Sequence, residues 1–113
     1  MLKKFSLLRE YELDGEIVWE YSCSFVFNEK KITKITITDH LWKKKGRQMI
    51  TKELVCQLVS NLNNKRLWPT NYQGNRKPFR FDTSYQKQDY RLIFWFEDND
   101  NNHLWIRNCF PIN

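Results

Sequence analysis

The sequence has few glycines and only 3 cysteines, and each of these features excludes a class of protein. Only 3 glycines stand among 113 residues, and none forms the glycine-rich loop that cradles a nucleotide phosphate. The 3 cysteines, Cys23, Cys56 and Cys109, lie far apart and form no CxxC pair, which excludes a disulfide framework and a cysteine zinc site. We therefore expect buried, reduced thiols, as in a cytoplasmic protein, and neither a metal nor another cofactor.

Long apolar runs are also missing from the chain. No stretch approaches the roughly 18 consecutive apolar residues that a membrane-spanning helix needs. The first residues are interrupted by Arg9 and Glu10, which is unlike a secretory signal. We therefore expect no membrane partner.

Positive charge is abundant and is concentrated in the middle of the chain. The whole chain carries +6, whereas residues 43–91 alone carry +9, with 12 Lys and Arg against Glu53, Asp82 and Asp89. Such a local excess suggests a polyanion, an acidic membrane surface or an acidic protein as partner. The plainer alternative is that the charge only keeps a small protein in solution.

The N-terminal third alternates apolar and polar residues as strands do. The alternation is loose over Phe5–Leu13, clear over Ile17–Phe27, and followed by a β-branched run at Ile32–Thr38. Asp14-Gly15 predicts a tight hairpin turn between the first two strands. Residues 1–113 are thus predicted to form one domain that begins with a three-stranded meander, either extending the main sheet or packing as a second one.

The apolar period changes to that of a helix after Thr51. Apolar residues recur at intervals of three to four, which predicts one main helix over about residues 51–63 with Thr51 as its N-cap. Three further strands follow at about 78–84, 89–97 and 103–109 and make a C-terminal three-stranded meander. The predicted fold class is α+β, with a mostly antiparallel sheet.

The chain from residue 34 to 112 resembles a known family in its order of elements and in three strand segments. The order is strand, basic helical segment, helix, basic loop and three-stranded meander. Tyr90–Phe94, YRLIF, is similar to an aromatic-Arg-apolar-apolar-aromatic strand common in the RelE/ParE-like toxins of bacterial toxin–antitoxin pairs. Phe79–Phe81 lies where that family often carries another Arg, and Leu104–Arg107 is similar to its closing strand.

The resemblance implies a toxin-like, metal-independent endoribonuclease, with RNA as substrate and an antitoxin or other protein as partner. Arg80, Arg91 and Arg107 fall one on each strand of the C-terminal meander, and guanidinium groups bind phosphate oxygens bidentately. His40 is the candidate acid or base, since histidine alone has an ordinary pKa near neutrality. We expect these four catalytic residues on one face of the sheet. In the alternative, Arg80 and Arg91 pair with carboxylates such as Asp82, and His40 is solvated.

The second histidine has a less specific setting. His103 follows a predicted turn at 98–102, and we interpret it as a solvated turn residue. The alternative is that His40 and His103 act together as an acid and a base, which requires the two rings to lie within a few ångströms of each other.

Eight basic residues are predicted to bind nucleic acid, because they lie near tryptophans that can stack on bases. They are Lys43, Lys44, Lys45, Arg47, Lys65, Arg66, Arg76 and Lys77. The alternative is a solvated basic surface with Trp42 and Trp68 packed inward, and inward packing is the preferred interpretation of Trp68.

A rival function without catalysis fits the same composition. The protein is then a nucleic-acid-binding regulator, or a protein inhibitor encoded by a mobile element. The added N-terminal hairpin favours this hypothesis if the aromatic side of Trp19–Phe27 serves a partner, although core packing is its default role. Expression distinguishes the two functions, because a toxin arrests its host whereas a binding protein does not.

Overall fold

The computed structural model describes residues 5–70 and 76–112, which contain one α-helix and six strands. The helix, α1, spans Lys52–Ser60. The strands are β1 (Ser6–Leu13), β2 (Glu16–Phe27), β3 (Lys30–Thr38), β4 (Phe79–Tyr85), β5 (Gln88–Glu97) and β6 (Asp100–Ile112). A short 3₁₀ turn, Asp39–Lys43, follows β3.

The described strands form a six-stranded sheet in the order β1-β2-β3-β6-β5-β4. Neighbouring strands are antiparallel except β3 and β6, which are parallel. The chain between β3 and β6 runs through α1, β4 and β5, because parallel neighbours need a long crossover connection. The predicted α+β class and mostly antiparallel sheet are confirmed, and the N-terminal meander extends the same sheet.

Tight turns with positive φ join the strands of the N-terminal meander. Asp14 and Gly15 have φ angles of 53° and 81°, which confirms the predicted hairpin turn. Asn28 and Glu29, at 52° and 63°, make the corresponding turn between β2 and β3. Asn28 also binds a later part of the chain, so this turn has a second structural role that is described below.

The helix begins as predicted but ends earlier. The Thr51 hydroxyl accepts a hydrogen bond from the Leu54 amide at 3.0 Å, so Thr51 is the N-cap. The last residue of α1 is Ser60 rather than residue 63. The following residues are bound by β2 instead: Asn63 Oδ1 accepts from the Val26 amide at 3.0 Å, and the Asn64 amide donates to the Val26 carbonyl at 2.7 Å.

The last strand is longer than the sequence predicted. The polar run at 98–102 suggested a five-residue turn, but β6 already begins at Asp100. β6 also continues through Pro111, which lies opposite Tyr90. Proline is tolerated there because β3 pairs with β6 only over His103–Ile106, which leaves one side of the strand without a hydrogen-bonding neighbour at Pro111.

One face of the sheet, here called the helix face, carries the apolar core against α1. Phe27 is fully buried at its centre, with ring centroids 5.3 Å from Phe79, 5.4 Å from Phe94 and 5.9 Å from Phe96. The aromatic side of β2 therefore packs inside the protein, as the default interpretation of Trp19–Phe27 held. Within the described residues, no helix is long and apolar enough to cross a membrane.

The opposite face, here called the polar face, holds the buried polar residues. Side chains alternate between the two faces of a strand, and the pairing of Glu20 with Thr36 places both on this face. Glu20 accepts hydrogen bonds from the Arg9 guanidinium at 2.9 Å and 3.3 Å and from the Tyr11 hydroxyl at 3.2 Å. The bond from Arg9 lowers the Glu20 pKa, and these contacts fasten the edge strand β1 to the sheet.

Candidate functional site

A cleft of about 360 Å³ opens on the polar face where the turn after β3 meets β5 and β6. Its lining combines basic groups with amide, hydroxyl and aromatic groups. The lining residues are His40, Lys44, Thr70, Pro78, Ile93, Trp95, Arg107 and Asn108.

A β-bulge delivers Arg107 to this cleft. Phe94 pairs with Ile106 and Ile93 pairs with Asn108, so Arg107 is the extra residue between them. A bulge leaves its extra residue outside the regular ladder and redirects the side chain, and bulges are frequent beside active sites. The sequence cannot reveal this feature, because a bulge is defined by two strands together.

His40 is held at the mouth of the cleft by the 3₁₀ turn. The Thr38 hydroxyl caps the turn by accepting from the His40 amide at 3.3 Å. The His40 Nδ1 atom lies 3.6 Å from Glu16 Oε2, and Lys43 Nζ lies 3.3 Å from the same oxygen. Glu16 therefore faces one side of the imidazole and leaves Nε2 as the nitrogen available to another molecule.

The surroundings lower the pKa of His40. Burial is the largest cause, and the positive charge of Arg107 adds to it, whereas Glu16 opposes the shift. The imidazole is therefore neutral at pH 7 and able to accept a proton. Arg107 is close enough to contribute to this shift, so the cleft joins a neutral base to a permanent cation.

The other two arginines predicted to be catalytic share the polar face but do not line the cleft. Arg91 lies opposite Asp82 and binds its carboxylate through two hydrogen bonds, at 2.8 Å and 3.0 Å. This contact lowers the Asp82 pKa and matches the ion-pair alternative for Arg91. Arg80 is exposed and lies opposite Ile93, a residue of the cleft lining, so Arg80 stands beside the cleft.

The basic segment after the 3₁₀ turn contributes one residue to the cleft. Lys44 lines it, and Lys43 binds Glu16 instead. The Arg47 guanidinium lies 4.8 Å from the Phe110 ring and donates to the Lys45 carbonyl at 3.4 Å, while the Lys45 side chain is exposed. Lys44 and Lys45 are thus the members of this segment that are best placed to meet a polyanion.

The four later basic residues lie along the connection from α1 to β4. Arg66 is exposed and forms a 3.5 Å ion pair with Glu29. The Arg76 guanidinium covers the Trp95 ring at 4.8 Å and lies 3.6 Å from Asp98. Lys65 and Lys77 are exposed. Arg76 therefore covers one side of a tryptophan whose ring also lines the cleft.

The two tryptophans of the basic region behave differently. Trp42 is half-buried and its Nε1 donates to the Ile50 carbonyl at 2.7 Å, in agreement with the inward-packing alternative. Trp68 is 90% exposed, so the preferred interpretation of inward packing is wrong. Contacts made by the residue before Trp68 explain this exposure and are described below.

His103 is not a solvated turn residue, which corrects the interpretation from sequence. It lies on β6 with 6% exposure, and its Nε2 forms a hydrogen bond with the Thr36 hydroxyl. The polar run before it forms a shorter turn than expected, so His103 falls inside the strand and opposite Lys34. His103 is absent from the cleft lining, whereas His40 is part of it.

Five cleft residues were not predicted from the sequence: Thr70, Pro78, Ile93, Trp95 and Asn108. Trp95 gave a signal, because it alternates on the same side of β5 as Arg91 and Ile93. Thr70 and Asn108 gave none, because their positions depend on loop closure and on the bulge. All three cysteines are buried, and burial raises the pKa of Cys23, Cys56 and Cys109 to about 12, so their thiols stay protonated at neutral pH.

The described part of the chain contains no candidate set of metal ligands. Between residues 5 and 70 and between 76 and 112, no three His, Cys, Asp or Glu side chains are grouped to hold a metal ion. The cleft itself contributes one histidine and no carboxylate.

Acid is expected to destabilise the protein through His103. Burial lowers the pKa of His103 from its ordinary value of 6.5, so the unfolded chain binds a proton that the folded protein resists. The resulting loss of stability is absent well above pH 6.5 and grows as the pH falls below 6.5. We expect the melting temperature to drop between pH 7.5 and 5.5, a window in which the Glu20 and Asp82 carboxylates stay ionised.

The control for this prediction is His103→Gln, which keeps a polar partner for Thr36 but cannot titrate. This variant is expected to start less stable and to lose less stability over the same pH window. His40 is more exposed than His103, so we expect His40→Gln to remove a smaller part of the pH dependence of stability. Equal pH slopes in wild type and in His103→Gln would contradict the assignment.

Comparison of the chain with family models, curated proteins and solved structures found no match. The resemblance to RelE/ParE-like toxins therefore stays a prediction, and the properties of the cleft are the basis for a function.

Proposed function

We propose that this protein is a metal-independent, toxin-like endoribonuclease that binds RNA in the cleft of His40, Lys44 and Arg107. The observation that carries the proposal is that a neutral imidazole and a permanently charged guanidinium line the same cleft. In this proposal the protein acts in the cytoplasm, on RNA, and a protein antitoxin of the RelE/ParE-like kind restrains it.

The proposed reaction uses the 2′-hydroxyl of the RNA as nucleophile. His40 Nε2 takes the 2′-hydroxyl proton while the 2′-oxygen attacks phosphorus, and Arg107 and Lys44 stabilise the negative charge that develops on the phosphorane. The bond to the 5′-oxygen then breaks, and that oxygen takes a proton from the Lys44 ammonium or from water. The products are a 2′,3′-cyclic phosphate and a 5′-hydroxyl, so atoms and charges balance without a metal.

The distribution of charge supports RNA as the polyanion. Lys44 belongs to residues 43–91, which carry +9, and Arg107 adds a second positive charge to the cleft, so phosphates are attracted towards it before contact. Asn108 and Thr70 add neutral hydrogen-bonding groups, and the Trp95 ring adds an aromatic wall. This combination of cations, amide and ring suits an unpaired nucleotide.

The second candidate function involves no catalysis: the protein is a nucleic-acid-binding regulator, or a protein inhibitor encoded by a mobile element. It is favoured by the engagement of Arg91 with Asp82 and by the presence of a single histidine in the cleft. These features leave fewer groups for acid–base chemistry than the sequence suggested. The same cleft then holds a phosphate and nucleotide without breaking a bond.

The deciding experiment incubates the purified protein with labelled single-stranded RNA in EDTA. Cleavage to fragments ending in a 2′,3′-cyclic phosphate is the expected result, and a single 2′-deoxy nucleotide at the cleavage position should block it. A mobility shift without fragments supports the binding function. Expression in bacteria adds a second arm, since growth arrest is expected only of an active toxin. Absence of both cleavage and RNA binding would remove both proposals.

His40 is expected to set the pH dependence of cleavage. Its pKa is lowered from 6.5, so the base form is already dominant at pH 7. The rate should therefore fall only when the pH drops below 6.5 and the imidazole becomes protonated. His40→Gln should reduce the rate about 10²–10⁴-fold and abolish the acid limb of the profile. A variant that keeps the acid limb would assign the base to another residue.

A further inference from the structure

A second groove, of about 460 Å³, lies at the loop between α1 and β4. Its lining includes Lys30, Arg66, Leu67, Trp68 and Pro69. Trp68 is 90% exposed, so its ring packs against little of the protein. A large aromatic side chain exposed beside two cations offers a face on which a ligand can stack and charges that can hold its anionic group.

The exposure of Trp68 is fixed by the residues on either side of it. The Asn28 amide group binds Leu67 in both directions: Oδ1 accepts from the Leu67 amide at 2.8 Å, and Nδ2 donates to the Leu67 carbonyl at 3.0 Å. Pro69 follows with its restricted φ, and the Thr70 amide donates to the Pro78 carbonyl at 2.8 Å. The loop is therefore held before and after Trp68, and the ring is preorganised outward.

The charge around the ring favours an anionic ligand. Lys30 and Arg66 line the groove, and Lys65 is exposed next to Arg66 in the chain. The opposing carboxylate is Glu29, which forms a 3.5 Å contact with Arg66 while both side chains stay about three-quarters exposed. Such an ion pair contributes little free energy, so a phosphate can displace Glu29 from the guanidinium.

The groove and the proposed RNA cleft are lined by consecutive residues of one loop. Pro69 lines the groove, and its neighbour Thr70 lines the cleft. Consecutive Cα atoms are about 3.8 Å apart, so the two sites are adjacent around one loop. One RNA strand that passes around this loop would contact both sites.

We propose that this groove binds an unpaired nucleobase, stacked on Trp68, with its phosphate on Arg66 and Lys30. The inference rests on the proposed RNA function and narrows it to single-stranded RNA. A paired base has both faces covered by its own stack and cannot offer one to Trp68, whereas every unpaired base can. Stacking also tolerates any base, so the groove selects for strandedness rather than for sequence.

The experiment measures binding of a fluorescein-labelled 12-nucleotide single-stranded RNA and of a blunt duplex to the full chain. The variants are Trp68→Ala, Trp68→Phe and, as a matched control, Met49→Ala, another exposed apolar residue that lies outside both linings. Trp68→Ala should weaken single-strand binding about 5- to 100-fold. Trp68→Phe should keep most of the affinity, and Met49→Ala all of it. The single strand should quench the tryptophan fluorescence of the wild type more than that of Trp68→Ala, which retains the other four tryptophans.

Cleavage of RNAs of different length separates this inference from the proposed function. A dinucleotide fills only the cleft, so its cleavage should be unchanged in Trp68→Ala, whereas the 12-nucleotide substrate should show a raised KM. Trp68-dependent binding without any cleavage would uphold the groove and overturn the nuclease. Cleavage with no effect of Trp68→Ala on either substrate would overturn the groove alone.

Two further outcomes also count against the groove. One is tighter, Trp68-dependent binding of the duplex. The other is loss of a co-purifying protein in Trp68→Ala with RNA affinity unchanged, which would assign the exposed ring to a protein partner.

Discussion

Replacing Arg107 with alanine is expected to slow RNA cleavage by about 10²–10³-fold, the usual effect of removing one group that stabilises a charge developing in the transition state. The bulge in β6 places this guanidinium in the cleft beside His40. The extra phosphorane charge exists only in the transition state, so kcat should fall more than KM rises. The measurement is single-turnover cleavage of the 12-nucleotide RNA at pH 7.5 in EDTA.

Arg107→Lys tests whether geometry or charge is responsible. Lysine keeps the positive charge but loses the planar fork that binds two phosphate oxygens, so a partial recovery is expected. The pH profile adds an independent readout. Removing a positive neighbour should raise the pKa of His40 and move the acid limb of Arg107→Ala to higher pH, because Arg107 is one cause of the lowered value.

Two other charge removals serve as comparisons for Arg107→Ala. Lys31→Ala removes one exposed positive charge from β3 outside the cleft lining and should change the rate little. Arg91→Ala should have a smaller effect than Arg107→Ala, because Asp82 already occupies the Arg91 guanidinium. A larger effect of Arg91→Ala than of Arg107→Ala would indicate that the reacting phosphate binds at β4 and β5 rather than in the cleft.

The strands and the helix could be predicted because their signals are local. The alternation over Ile17–Phe27 requires one apolar side, and that side is buried over the length of β2 that carries Phe25 and Phe27. Thr51 could be identified as a helix cap for the same reason, since capping involves residues only three apart. These patterns made the fold class predictable, although the strand order was not.

The cleft could be predicted only in part because its geometry is non-local. The parallel pairing of β3 with β6 brings the turn carrying His40 beside Arg107, and nothing in either segment indicates that pairing. Trp68 was misjudged for a related reason: the side-chain amide of Asn28 binds Leu67, 39 residues later, and so fixes the loop that carries Trp68. His103 was misjudged because the polar run before it looked like a long turn although β6 starts within it.

Replacing Phe27 with alanine is expected to lower the free energy of unfolding by about 3–5 kcal/mol, as large-to-small changes of buried aromatic residues do. Phe27 is fully buried, and its ring packs against those of Phe79, Phe94 and Phe96 from β4 and β5. Those strands lie at the far side of the sheet from β2, so this ring joins the two meanders. Typical domains are stable by only roughly 5–15 kcal/mol, so the variant should be close to unfolding at 37 °C.

Urea denaturation of Phe27→Ala, Phe27→Leu and Phe5→Ala tests this expectation. Phe27→Leu fills part of the cavity and should fall between wild type and alanine, which keeps the comparison measurable if Phe27→Ala does not fold. Phe5 is the matched control, because it is half-buried immediately before β1 and contacts Phe25 at a centroid distance of 6.4 Å. Its removal should cost about 1 kcal/mol. Equal losses for Phe5→Ala and Phe27→Ala would mean that the ring cluster is not what joins the two halves of the sheet.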